Sequence, residues 1–209
     1  MANCTNGELM GIIYLLRHGE TAWNRAGRMQ GRKDSPLTQR GVGQARAMGR
    51  LLATLVMEPG TVPIWCSPLG RARQSCSLIC DALGRPPETV RFDDRLIEID
   101  DGNFAGMTAT EAALIDRSAW ERRRRDPFRN AAPGGESCCD VFERSSAWLA
   151  AVDLGDETVV IAHGVFNRMF VAAACGLNPE ALLGFPAPQD AIIRISAGSY
   201  SLVETDYTD

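Results

Sequence analysis

The 209-residue sequence contains no apolar run approaching the ~20 residues that a membrane-spanning helix requires, so no membrane partner is expected. It has no internal repeat and no low-complexity tract. It also lacks an excess of positive charge: 22 Lys and Arg against 26 Asp and Glu leave a net charge of -4. A chain without a global basic field is not expected to have nucleic acid as its main partner. Residues 1–11 show no basic segment followed by an apolar stretch, so no signal peptide is expected. The 7 cysteines, at positions 4, 66, 76, 80, 138, 139 and 175, lack the C-x-x-C spacing of a zinc site and have no histidine beside them. They read as reduced, mostly buried thiols, which points to a cytoplasmic location. Neither a metal nor a cofactor is expected.

What remains is ordinary globular chemistry. A chain of this length can bury roughly 70% of its unfolded surface, so its core needs no staples. One domain spanning residues 1–209 is expected, with an insertion or lid region at about residues 99–136. Residues 11–16 form a short, buried, β-branched strand. Residues 38–56 carry Val42, Ala45, Met48, Leu52 and Leu55 at helical spacing. Residues 62–66 read as a second strand, and Ser67-Pro68 reads as an N-cap with proline at the first helical position. Residues 89–106 look irregular, 108–125 helical, 126–135 a loop, and 136–152 helical again. Thr158 to Ala162 is the clearest strand, Val165 to Cys175 a helix closed by Gly176, and residues 191–196 and 199–204 two weaker strands. Strands alternating with helices predict a three-layer α/β/α sandwich with a mostly parallel sheet, antiparallel at one edge. Ligands of such sheets bind outside the carboxyl ends of the strands.

Histidine is scarce, and its placement is informative. The chain has 2 histidines, His18 and His163, and each directly follows an apolar strand and precedes a glycine and a predicted helix. Both imidazoles would then emerge at the carboxyl edge of one sheet. Arg17 adjoins His18, Gly19 allows close backbone approach at the start of a helix, and Arg71 lies in the first turn after the Ser67-Pro68 entry. Arginine suits an anion here because its planar fork binds two phosphoryl oxygens and keeps its charge.

These residues sit in a longer ordered set. Leu16-Arg17-His18-Gly19-Glu20-Thr21 is followed by Trp23-Asn24, Gln30-Gly31 and Asp34-Ser35-Pro36-Leu37-Thr38. Downstream come Ser67 to Gln74, Leu96-Ile97-Glu98, Pro133 to Ser137, and Ala162-His163-Gly164. From about residue 11 to 175 the chain resembles the histidine phosphatase superfamily, the group that includes cofactor-dependent phosphoglycerate mutases. The resemblance implies a phosphoglycerate mutase-like fold and a phosphohistidine intermediate on His18. It implies that Arg17, Arg71 and His163 surround the phosphoryl oxygens, that Glu98 gives a proton to the leaving oxygen, and that Asn24, Gln30 and Gly31 line the substrate side. Homodimers are common in the family, so a homodimer is admitted, although no exposed apolar edge is identifiable.

The residue types fit that chemistry. A neutral imidazole is a competent nucleophile when its other ring nitrogen is held by a hydrogen bond. Two guanidinium groups nearby favour the neutral ring and stabilise phosphoryl oxygens. Hydrolases and mutases share this pocket, so the distinction lies outside it. Glycolytic mutases carry Arg-His-Tyr after the glutamate, where this chain has Ile99-Asp100-Asp101. Glu98, Gly102, Phe104 and Gly106 fit the phosphatase spacing, as in proteins resembling α-ribazole phosphatase; Ala105 departs from it, since many such members carry glutamate there. The expected activity is a metal-independent phosphomonoesterase acting on a small phosphorylated metabolite. A cofactor-dependent phosphomutase and a weakly active phospholigand-binding protein are the alternatives. The run Arg122 to Arg125 reads either as a solvated helix end paired with Glu121 and Asp126, or as a source of arginines reaching over the pocket.

Overall fold

The computed structural model describes residues 11–208; Cys4 and the segment 1–10 read above for a signal lie outside them. At the centre is β1 (Ile12–Arg17), whose middle residues are buried on both faces. Ile13 and Leu15 face one apolar layer, and Tyr14 and Leu16 face the other. A strand with no polar face needs cover on both sides, and this one has it.

Further along the chain come β2 (Ile64–Cys66), β3 (Arg91–Phe92), β4 (Glu157–Ala162), β5 (Ala191–Ser196) and β6 (Ser199–Glu204). The sheet order is β3-β2-β4-β1-β5-β6. Strands β3, β2, β4 and β1 are mutually parallel, and β5 pairs antiparallel with β1 and with β6. The expected mixed sheet is thus present, with its antiparallel pairs on one side.

One face is covered by α2 (Gln39–Leu55) and α3 (Gly70–Ala82), whose Met48, Leu52 and Ile79 pack on Tyr14, Leu16, Val159 and Ile161. The other is covered by α6 (Cys138–Ala151) and α7 (Gly164–Cys175), whose Trp148, Phe166, Met169 and Phe170 pack on Ile13, Leu15 and Val160. This is the three-layer α/β/α sandwich. A four-residue helix, α1 (Ala22–Arg25), follows the first histidine. A separate small core of Phe104, Ala112, Ala119 and Ala132 holds α4 (Ala109–Ile115) and α5 (Arg117–Arg125) over one end of the sandwich.

Four local expectations are corrected. The helix of 108–125 is two helices, because Asp116 leaves helical geometry at φ -146° and caps α5 by accepting from Ala119 N–H. The irregular stretch 89–106 hides the edge strand β3, which is two exposed residues long and carries no apolar alternation. Ser67 is not a helix cap: α3 begins at Gly70 with Leu69 at the cap position and no side-chain cap of its own. Asp34 caps it from a distant loop instead, with Oδ2 accepting from Gly70 N–H (2.7 Å) and Oδ1 from Arg71 N–H (3.2 Å). Finally, the helix after Gly19 starts only at Ala22, and the Gly19 N–H is taken by Ser75 Oγ at 3.0 Å, so it is not free for an anion.

Among the described residues, no helix is long and apolar enough to cross a membrane. Cys66, Cys76, Cys80 and Cys138 are buried free thiols, and Cys139 and Cys175 are partly exposed.

Candidate active site

Strand register builds the site. Arg17 stands opposite Ala162 across the β1–β4 pair, so the next residues, His18 and His163, leave adjacent strands side by side. Their ring centroids are 5.2 Å apart. Cys66 pairs with Ile161, which places Ser67 beside His163 on the other flank. Both histidines are buried.

His18 Nδ1 lies 2.8 Å from the Gly19 carbonyl. A carbonyl only accepts, so Nδ1 carries the proton and Nε2 keeps its lone pair. That lone pair faces the Nε–H of Arg71 at 3.3 Å. Burial first, and then the charges of Arg17 and Arg71, hold His18 well below its ordinary pKa of 6.5. Burial, followed by Arg71, His18 and Arg17, does the same to His163. The sequence reading credited the arginines; desolvation is the larger cause.

Arg71 is itself buried and firmly anchored. Its Nη1 donates to Lys33 O (2.6 Å) and Asp34 Oδ1 (2.8 Å), and its Nη2 to Gly31 O (2.8 Å). Gly31 therefore orients Arg71. Its φ of +52° and the Asp101 backbone nitrogen, 2.8 Å from where a Cβ would sit, leave room only for glycine. Arg17 donates Nη1 to Ala187 O at 3.0 Å and keeps a buried Nε–H without a partner among the described residues. Its guanidinium lies over Gly164, where an added Cβ would be 3.2 Å from Cζ.

Glu98 comes to the same centre by an unexpected route. Its Oε1 accepts from Ile99 N–H (3.0 Å) and Phe166 N–H (3.1 Å), and its Oε2 from Val165 N–H (3.2 Å). The carboxyl group thus sits on the N-terminus of α7, where it satisfies N–H groups that have no partner within the helix. The neighbouring acids are engaged elsewhere: Asp93 with Arg95 and Trp148 Nε1, Asp100 with Gly102 N–H and Arg32, Asp101 with Arg123. Arg144 fixes the turn that carries Glu98, donating to the carbonyls of Arg95 and Ile97, both at 2.8 Å.

The remaining predicted residues are held by hydrogen bonds within the protein. Asn24 Oδ1 accepts from Thr21 N–H and from Gln189 Nε2, and Gln30 Oε1 accepts from Ser35 Oγ. In the arginine run, Arg123 turns inward onto Asp101 at 2.7 Å, and Arg122 bonds Ser118. The expected partners of the run are taken by others, Glu121 by Arg117 and Asp126 by Arg129. Sequence reasoning missed Asp34, Ser75, Arg144 and Gln189 as builders of the site. It quoted Ser67 for the wrong reason.

The family model of the histidine phosphatase superfamily (branch 1) matches residues 13–207. The chain belongs to that superfamily. Among curated proteins it is similar to the "Probable phosphoglycerate mutase GpmB" of Salmonella paratyphi C, with 31% identity over 196 residues, 92% of this chain and 84% of the relative. Among solved structures it is similar to YhfR of Bacillus stearothermophilus, with 29% identity, a TM-score of 0.77, and 93% and 96% of the two chains covered. A mycobacterial glucosyl-3-phosphoglycerate phosphatase solved with VO3 superposes with a TM-score of 0.74 at 26% identity, covering 95% of this chain and 99% of the other. The α-ribazole phosphatase of Shigella flexneri has a TM-score of 0.78 at 22% identity, covering 94% and 96%, a likeness of fold.

Proposed function

We propose that this histidine phosphatase superfamily member is a metal-independent phosphomonoesterase that hydrolyses a small phosphorylated metabolite through phosphohistidine at His18 Nε2. The observation that carries the reading is the tie between His18 Nδ1 and the Gly19 carbonyl at 2.8 Å, which leaves a neutral Nε2 lone pair beside Arg71 Nε.

In the first step Nε2 attacks phosphorus in line, and the bond from phosphorus to the leaving oxygen breaks. Arg17, Arg71 and His163 stabilise the three equatorial oxygens, because phosphoryl transfer depends on positioning and charge stabilisation. Glu98 gives a proton to the leaving alkoxide. Three backbone N–H groups, of Ile99, Val165 and Phe166, fix the position of its carboxyl for that transfer. In the second step water attacks phosphorus and returns a proton to Glu98, and the N–P bond breaks. Inorganic phosphate leaves, and Nε2 regains its lone pair.

A mutase remains the second reading, because the curated relative at 31% identity carries that name. Phosphatase is preferred because Ile99-Asp100-Asp101 stands where glycolytic mutases carry Arg-His-Tyr, and here Asp101 is committed to Arg123. The phosphatases among the structural relatives support it as well. A cytoplasmic location and a homodimer belong to the same proposal.

The test is phosphate release from a panel of small phosphomonoesters in excess chelator. A phosphatase releases phosphate steadily, and alkaline quenching during turnover traps an acid-labile, alkali-stable phosphate that His18→Ala abolishes. Isomerisation of phosphoglycerate only after priming by a bisphosphate, with little net release, would establish the mutase. Absence of any trapped phosphate across the panel would leave a phospholigand-binding protein.

A further inference from the structure

His163 and His18 are held in opposite ways. In His18 the Nδ1 is tied and Nε2 faces Arg71; in His163 the Nε2 is tied to Ser67 Oγ at 2.7 Å, and Nδ1 is buried with no partner among the described residues. Ser67 is itself fully buried. Its Oγ accepts a long hydrogen bond from Leu69 N–H at 3.4 Å, which leaves its single hydroxyl proton to be given away.

We infer that Ser67 is a positioning residue that donates its hydroxyl proton to His163 Nε2 and so selects the tautomer with Nδ1–H aimed at the phosphoryl group. The alternative tautomer would donate Nε2–H to Ser67 and turn a lone pair toward phosphoryl oxygens, adding repulsion where the site needs a donor. Burial and the adjacent arginines keep the ring neutral, so its single proton must sit on the useful nitrogen. A buried polar nitrogen without a partner is costly unless a ligand satisfies it. The selected tautomer makes that ligand an anion with acceptor oxygens. This deepens the proposed function and rests on reading the cleft between the histidines as a phosphoryl pocket.

With 2 histidines in the chain, ring 15N labelling reports each imidazole directly once His18→Ala has assigned them. The wild-type protein without ligand is expected to show His163 as the Nδ1–H form. In Ser67→Ala the ring should shift toward Nε2–H, and orthovanadate should bind about tenfold more weakly, the loss of one hydrogen bond to a charged group. Ser67→Thr keeps the hydroxyl and should restore both. A wild-type His163 found as Nε2–H overturns the inference, and this needs no variant to fold. So does a Ser67→Ala protein that loses activity with its tautomer unchanged, since Ser67 would then be merely structural. Tautomer and vanadate readouts do not require turnover, so they can stand even if no ester proves to be hydrolysed.

Discussion

Arg71 points its Nε–H at the Nε2 of His18 from 3.3 Å, a contact between a cation and a ring lone pair that, on the proposed mechanism, an incoming phosphoryl group replaces. The guanidinium cannot simply swing aside, because Gly31, Lys33 and Asp34 hold its other nitrogens. Arg71→Lys keeps the charge and loses the planar fork. The expected outcome is a fall in kcat/KM of about 10²- to 10³-fold, the usual loss for one transition-state donor. Steady-state phosphate release measures it, and an unchanged rate would remove Arg71 from the reacting centre.

Gly19 and Gly164 separate stability from activity. A Cβ on Gly19 would lie 2.1 Å from Gly41 O, where two backbones meet and neither can yield. Gly19→Ala should cost about 3 kcal/mol in urea unfolding, the upper range for overpacking. At Gly164 the added Cβ would meet the Arg17 guanidinium at 3.2 Å, and a side chain can move a few tenths of an ångström. Gly164→Ala should therefore stay folded and lose about tenfold in kcat, because small displacements of charged groups weaken catalysis. A Gly164→Ala protein that unfolds like wild type but turns over more slowly, beside a destabilised Gly19→Ala, would confirm the contrast; an unimpaired Gly164→Ala enzyme would contradict it.

Acid should destabilise the protein in two separate windows. Burial, reinforced by neighbouring cations, holds both histidines well below 6.5 in the folded state. The unfolded chain protonates them as pH falls through 6.5, so it binds more protons than the native state. Stability then falls with pH below 6.5, by about 1.4 kcal/mol per pH unit for each histidine, until the folded pKa is reached. Above 6.5 this contribution is flat. The hydrogen-bonded carboxylates of Glu20, Asp93 and Asp140, held below their ordinary 4.5 or 3.8, lose their contribution only in the lower window. Urea unfolding of wild type and His163→Gln between pH 7.5 and 5 should show the upper slope halved in the variant. Identical slopes would mean that His163 takes up its proton in the folded state as readily as in the unfolded one.

The pair Arg123–Asp101 is a further test. The side chains meet at 2.7 Å and are 12% and 8% exposed, and burial pushes the Asp101 carboxyl above the usual carboxylate range. Arg123→Met leaves that carboxylate buried and unpaired, which should cost about 3–5 kcal/mol. Adding Asp101→Leu should restore much of the loss. A double-mutant cycle in denaturant measures the coupling, and a single-variant cost below about 1 kcal/mol would show the pair to be solvent-screened.

Much of the architecture was legible because burial leaves a pattern. Ile12 to Leu16 and Val159 to Ala162 are apolar on successive residues, as strands covered on both faces must be, and a histidine directly follows each strand. Two-residue β3 left no such pattern, since Arg91 and Phe92 are both exposed. The polar builders of the site were hidden for a different reason. Asp34 meets Arg71 across 37 positions of sequence, Ser67 meets His163 across 96, and Gln189 meets His18 across 171. No periodicity encodes contacts of that range. At Ser67 a sound local rule, serine before proline as a cap, lost to a partner on the neighbouring strand.

Asp34 joins two structures that could have been held separately, the head of α3 and the guanidinium of Arg71. The loop at residues 30–34 and the first turn of α3 therefore behave as one mechanical linkage, with the Arg71 guanidinium at its tip. A displacement of either part is carried to the other through the Asp34 carboxylate rather than through the sheet.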